Sequence, residues 1–226
     1  MIKQLLQQFR FRMMARQLRK PGFGGGRKTG RMMNKANEFL YDRIISLINP
    51  KAGNQILEIG FGNGKFFTKF FDQSSSVQIT GIDYSAMMVK SAAKNNKEYL
   101  KKGNLSIYKA ESNKLPLPDN IYDVVFCINV IYFWNKPEQH LKEVLRVLKP
   151  SGTFYSIFRT KESMQLMPFT QYGFHSYTGN DWSIILNKAG FETISNSIIE
   201  EPDILFKGKI LQIESLCVKG VKPHYK

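Results

Sequence analysis

Cysteine is scarce in this sequence: the two present, Cys127 and Cys217, lie far apart. That excludes a disulfide scaffold and fits a reducing compartment. Histidine is scarce too. His140, His175 and His224 share no ligand spacing with one another or with the cysteines, so no metal site is expected. No apolar run approaches the roughly 18–20 residues of a membrane span. No secretory-type leader is visible, and the expected setting is the cytoplasm. What is abundant excludes disorder. The 226 residues are 42% hydrophobic and include 17 Phe, enough for one domain with a proper core and a small appendage.

Acids are missing from one stretch. Residues 1–35 hold ten Lys/Arg (Lys3, Arg10, Arg12, Arg16, Arg19, Lys20, Arg27, Lys28, Arg31, Lys35) and no Asp or Glu. The remainder carries 23 Lys/Arg against 18 acids, an ordinary balance. The formal net charge of +15 therefore belongs largely to an N-terminal arm, expected over 1–31, ahead of a domain over 32–226. Ile2, Leu5, Leu6, Phe9 and Met13 recur at helical spacing among the arginines. This basic amphipathic helix is expected to stop at Pro21-Gly22, with Phe23-Gly24-Gly25-Gly26 unable to continue it. Three functions stay open for it: peripheral membrane contact, nucleic-acid binding, or a targeting presequence, against which the lack of serine speaks. The plainest expectation is a helix that packs this stripe on the domain, or serves as a lid, with solvated charges outside. A second helix is expected from about Met32 to Ile48, ended by Asn49-Pro50.

From residue 54 strands and helices alternate. Strands are expected at 55–59, 77–82, 105–109, 122–128 and 152–158, and helices at 65–71, 85–95, 137–148 and 181–188. Such alternation predicts a doubly wound, mostly parallel sheet. Residues 191–199 and 209–218 then read as two strands with no helix between them, which would bring in an antiparallel strand. The segment 159–180 has no clear period, and a loop so long in a compact domain is usually functional.

The strongest local signal is Leu57-Glu58-Ile59-Gly60-Phe61-Gly62-Asn63-Gly64, between a strand and a helix. Gly60 permits a sharp turn, Gly62 a close backbone approach to a ligand, and Gly64 close packing of the helix. In such sheets ligands bind at the carboxyl ends of the strands. Asp83 ends the second strand at the offset where an acid holds ribose hydroxyls. Glu111 follows the third strand, and Met88 is placed to pack on a flat ring. The spacing is GxGxG, where a dinucleotide fingerprint reads GxGxxG. A Glu58 carboxylate pointing into the site would repel a pyrophosphate and suit a cation, which makes an NAD-dependent dehydrogenase a distant alternative.

On these motifs the chain resembles the class I S-adenosylmethionine-dependent methyltransferases. LEIGFGNG resembles the family's first motif, and GIDYSAMM its acidic loop and following helix. AESNKLPLPDNIYDVVFCINVIYFW resembles its adenine and active-site motifs, LKEVLRVLKPSGTF the motif before strand five, and NKAGFE the closing helix. The resemblance spans roughly residues 52–160. It implies a Rossmann-like, seven-stranded, mostly parallel sheet with an antiparallel last strand, plus N-terminal helices. It implies S-adenosyl-L-methionine as cofactor and S-adenosyl-L-homocysteine as product. By position, Glu58, Gly60, Phe61, Gly62 and Gly64 would serve the amino-acid end. Asp83 would hold the ribose, Tyr84 and Met88 would flank the adenine, and Ala110, Glu111 and Ser112 would lie near its amino group. Asn129 would border the methionine moiety, with Ile131 to Trp134 as pocket wall. Glu111 stands where Asp is commoner, and Tyr132-Phe133 replaces a polar pair often found there.

Methyl transfer from a sulfonium is driven largely by positioning and desolvation, so a missing acid/base triad is no obstacle. The candidate bases are Tyr132, His140, Tyr172, His175 and Tyr177, with His175 and Tyr132 preferred, while His140 reads more readily as a surface residue and Cys127 as inert core. The N-terminal helices and the 159–180 insertion, rich in Met and aromatics, point to a small-molecule or lipid-like acceptor, with Gly30 to Asn37 as a lid. A nucleic-acid methyltransferase using the basic arm, and a catalytically silent cofactor-binding subunit, are the alternatives.

Overall fold

The computed structural model describes residues 2–22, 25–206 and 208–224. Phe23 and Gly24 of the glycine stretch lie outside the described residues. In chain order the elements are α1 (Ile2–Arg19), α2 (Gly26–Ile48), β1 (Gln55–Ile59), α3 (Phe67–Gln73), β2 (Gln78–Asp83), α4 (Ala86–Asn95), α5 (Lys97–Lys102) and β3 (Leu105–Lys109). There follow β4 (Tyr122–Ile128), α6 (Pro137–Val147), β5 (Leu148–Arg159), α7 (Lys161–Gln165), α8 (Gly179–Ala189), β6 (Glu192–Glu200), β7 (Ile204–Phe206), β8 (Lys209–Leu211) and β9 (Glu214–Val221).

Seven strands form one sheet in the order β3-β2-β1-β4-β5-β9-β6. β1 to β5 pair in parallel, and β9 runs antiparallel between β5 and β6. This is the doubly wound architecture expected from the alternation, with the late antiparallel strand. One detail differs. The run from 209 to 218 is not one strand, because β8 pairs with β7 in a separate hairpin, closed by the left-handed Gly208 (φ 77°).

The pleat sends successive side chains to opposite faces, and a helical layer covers each. On one face Leu57, Ile59, Val125, Cys127, Phe154 and Phe158 meet Leu141 and Val144 of α6 and Trp182 and Leu186 of α8. On the other, Ile56, Phe126 and Ile128 meet Leu40 and Ile44 of α2 and Phe67 and Phe70 of α3. Full burial of each such side chain is worth roughly 1.5–3 kcal/mol, which is why two apolar layers hold the strand ends in fixed positions.

Three elements depart from expectation. α2 starts at Gly26, not Met32, and takes two glycines into its first turns. Close packing is the reason: a Cβ on Gly26 would sit 1.6 Å from Met87 Cε, and one on Gly30 would sit 3.4 Å from Asn63 Nδ2. Tertiary contact thus overrides the poor helix propensity of glycine. The 159–180 segment holds α7, whose Thr160 cap accepts from Ser163 N, and a 3-10 turn at Pro168–Gln171. Finally, α1 packs on the domain through Phe11, Met14 and Leu18 and the buried Ala15. The stripe Ile2, Leu5, Leu6, Phe9 and Met13, expected to face the core, is exposed.

Candidate active site

A cavity of about 440 Å³ opens at the carboxyl ends of β1, β2 and β4. Its floor is the turn after β1. Gly60 adopts φ 81°, and a Cβ there would stand 2.3 Å from Val130 Cγ2. Gly62 adopts φ 60° with nothing within 4 Å of its Cβ position, so the backbone itself faces open space. Both conformations are strained for any residue with a Cβ.

Asp83, at the end of β2, organises this turn. Its Oδ2 accepts from Gly62 N at 2.9 Å and its Oδ1 from Ser85 N at 2.8 Å. It is buried, and burial raises its carboxyl to about 6, against the two backbone N–H groups that pull it down. Tyr84 and Met88 join it in the wall, as do Ala110, Glu111 and Ser112 after β3. Asn129 closes the β4 side in the left-handed region (φ 57°), which asparagine tolerates better than most residues. Its Nδ2 donates to Asn37 Oδ1 at 3.0 Å.

Two N-terminal helices roof the cavity. Met33 and Asn37 of α2 line it, and so do Leu18, Arg19 and Pro21 at the end of α1. Ser85 Oγ donates to the Pro21 carbonyl at 2.7 Å, and the Tyr84 hydroxyl donates to the Arg19 carbonyl. Opposite stand Phe133, Trp134 and His140. The His140 ring stacks on Trp134 at 4.6 Å with 4° between planes, and Nδ1 lies 2.7 Å from Ser112 Oγ. Burial pulls this imidazole down to about 4, so it is neutral at physiological pH. His140 is therefore not the surface residue expected. Its i+4 and i+7 neighbours Val144 and Val147 are core, a spacing that could have placed it on the inner face of α6.

Several expected site residues lie elsewhere. Glu58 shares the pleat face of Ile56; its buried carboxylate accepts from the Tyr41 hydroxyl of α2 and is not among the residues lining the cavity. Burial raises it to about 8. Phe61 turns into the core against Phe67, 5.4 Å between ring centroids. Gly64 serves packing: a Cβ would meet Ala92 Cβ of α4 at 2.8 Å. Neither preferred base reaches the cavity. The buried Tyr132 hydroxyl donates to Asn129 Oδ1 at 2.8 Å and accepts from Arg159 N, and burial holds its pKa above the ordinary tyrosine value. His175 is exposed beside Asn135, Nε2 to Oδ1 3.4 Å, and its N–H donates to the Tyr132 carbonyl. Cys127 is buried in β4. Among the described residues no group of three or more His, Cys, Asp or Glu is placed to hold a metal, and no helix is long and apolar enough to cross a membrane.

The methyltransferase-domain family model matches residues 57–156, the span from β1 through β5 that builds this cavity. Residues 57–156 are a methyltransferase domain, and together with the relatives and neighbours that follow they support a class I S-adenosylmethionine-dependent methyltransferase. It is 28% identical over 194 residues to the uncharacterized methyltransferase YdaC of Bacillus subtilis, covering 86% of this chain and 97% of that one. It is 31% identical over 124 residues to the ubiquinone/menaquinone biosynthesis C-methyltransferase UbiE of Pseudomonas savastanoi, covering 54% of this chain and 48% of UbiE, about half of either. Among solved structures, a chain of the Haloferax volcanii complex containing the Trm112 methyltransferase activator superposes with TM-score 0.75 at 20% identity, covering 86% of this chain and 94% of that one. An S-adenosylmethionine-dependent methyltransferase of Aquifex aeolicus superposes with TM-score 0.61 at 24% identity, covering 80% and 89%.

The residues of this methyltransferase fit its cofactor. Nothing lies within 4 Å of the Gly62 Cβ position, which leaves room for a ligand against its backbone. The Asp83 oxygens keep lone pairs for hydroxyl donors beyond the two N–H groups they hold.

Proposed function

We propose that this methyltransferase acts on a small, apolar acceptor, lipid-like in character. The carrying observation is the roof. Leu18 of α1 and Met33 of α2 line the cavity together with Phe133 and Trp134, so apolar side chains from both helices and from the turn after β4 would flank an acceptor. The likeness to UbiE, named for C-methylation in quinone biosynthesis, supports an acceptor of the same apolar class.

The roles assigned to the site follow from position. Asp83 would hold the ribose hydroxyls, Tyr84 and Met88 would flank the adenine, and Ala110, Glu111 and Ser112 would line its edge. Gly60, Gly62 and Asn129 would border the amino-acid end. His140 joins the adenine side through its hydrogen bond with Ser112. S-adenosylmethionine supplies an electrophilic methyl group on a sulfonium.

The chain's part is to orient and to exclude water. The wall from Asn129 to Trp134 presents no base: Tyr132 donates its proton to Asn129, and His175 lies outside. An acceptor must therefore arrive already nucleophilic, as a neutral amine, a phenolate or an electron-rich ring carbon. With a phenolate the apolar walls favour the reaction, because the sulfonium and phenolate charges neutralise each other; with a neutral amine or ring carbon the positive charge passes to the acceptor, which then sheds a proton to solvent.

The test is methyl transfer from labelled S-adenosylmethionine into a total lipid extract and into total RNA. Label in the organic-soluble fraction supports the proposal. Label confined to RNA, or cofactor binding with no transfer to either, overturns it.

A further inference from the structure

The helix α1 carries two apolar stripes, and the domain uses one. At about 100° of rotation per residue, Phe11, Met14, Ala15 and Leu18 fall on one side, and these pack on the domain. Ile2, Leu5, Leu6, Phe9 and Met13 fall on the other, centred about 180° away on the same geometry. Their exposures are 73%, 59%, 55%, 62% and 40%. Every residue from Ile2 to Arg10 is exposed, so the first half of the helix extends past the body. There the side in line with the packed stripe is polar, made of Gln4, Gln7 and Gln8. A helix that existed to pack on the domain would have the reverse polarity over these turns.

We propose that the outer face of α1 is a docking surface for an anionic lipid bilayer. Charge complementarity selects the occupant. Exposed Lys3 and Arg10 flank one edge of the apolar stripe; on the other edge exposed Arg12 also lies 5.3 Å over the Tyr172 ring, and exposed Arg19 borders the cavity. Arg16 continues the stripe toward the body, and the helix holds no acid. An apolar strip about 100° wide, edged by long cationic side chains, suits the boundary between headgroups and acyl chains. A nucleic acid would use the cations and leave five apolar side chains in water. A second copy of the chain would set these cations against their own kind.

The position of the surface also matters. Leu18 and Arg19 line the cavity, and Met13 lies only about 8 Å from Leu18 along the axis. A bilayer seated on the stripe would therefore adjoin the cavity roof. The docking itself does not depend on what the acceptor is.

The test is flotation of the full chain with phosphatidylcholine vesicles, with and without phosphatidylglycerol. Flotation should be more than about tenfold greater with the anionic lipid and should fall with added salt. The double variant Leu5→Glu/Phe9→Glu should lose it while keeping the wild-type melting temperature. Lys3→Gln/Arg10→Gln should weaken it, through charge alone. No flotation by the folded wild type overturns the proposal, as does equal flotation by the glutamate variant. Salt-steep retention on RNA without flotation overturns it in favour of nucleic acid. Concentration-dependent dimers that the glutamate variant abolishes, without flotation, overturn it in favour of self-association.

Discussion

Ser85 Oγ donates to the Pro21 carbonyl at 2.7 Å, across 64 residues of sequence. The same residue gives its backbone N–H to Asp83 and caps α4 through Met88 N. One serine thus joins the N-terminal arm to the loop that carries the acid of the cavity. Ser85→Ala should destabilise the fold by about 1–2 kcal/mol, one cap and one buried hydrogen bond. It should also speed release of S-adenosylhomocysteine, since Leu18, Arg19 and Pro21 would lose an anchor. Stopped-flow dissociation and thermal melts check both.

Asp83→Ala should weaken S-adenosylhomocysteine by about 1–3 kcal/mol in a calorimetric titration. The wild-type affinity should depend on pH. Burial places the carboxyl at about 6, and hydroxyl donors bind the ionised form better. Affinity should therefore rise as pH passes upward through that value and then level off. Asp83→Asn should bind weakly and without that dependence.

Glu58 makes folding stability depend on pH. Its folded value of about 8 stands above the ordinary 4.5 because of burial, with the Tyr41 hydrogen bond opposing. The unfolded chain releases this proton first, so the contribution of Glu58 to stability falls as pH rises from about 4.5 to about 8. Glu58→Gln should be close to wild type at the acid end of that window and more stable at its alkaline end. Denaturant melts across the window measure the slope, and an unchanged slope would sink the assignment.

His140 stacks face to face on Trp134. His140→Ala should lower cofactor affinity by about 1 kcal/mol, and His140→Phe should restore most of it if the ring face is what counts. Because burial keeps the imidazole neutral above about 4, its titration should leave no inflection in binding between pH 5 and 8.

Arg159 and Glu201 form a buried pair, 12% and 6% exposed, at 2.9 Å. Arg159 also donates to the Ala36 carbonyl of α2, and Ser215 donates to Glu201. Glu201→Ala strands the guanidinium and should cost about 3–5 kcal/mol in a chemical melt. Loosening of the α2 roof should follow, read as faster amide exchange around Ala36.

Much of this molecule is written in short stretches of sequence. The turn needs positive φ at Gly60 and Gly62 and leaves no room for a Cβ at Gly60, demands that glycine meets without strain. That local requirement, the acid closing β2 and the switch from period 2 to period 3.6 along the chain identify the sheet, the cavity end and the family from sequence alone. The ends of β1, β3 and β4 were legible to the residue because turn chemistry and apolar runs bound them sharply.

What tertiary structure decided is direction. Whether Glu58 faces the cavity or α2 depends on which pleat face the helix covers, and nothing local to Glu58 says so. Gly26 read as a breaker and Gly30 as the start of a lid, but both are helical and pack closely against Met87 and Asn63. His175 and Tyr132 looked like bases by type; the folded chain gives one to solvent and commits the other's hydroxyl to Asn129 and Arg159. On α1 the sequence displays an apolar stripe and a basic ring. Only packing reveals that a second stripe on the opposite side meets the core, leaving the first turned outward, because burial is settled by the partner surface and periodicity names only the candidates.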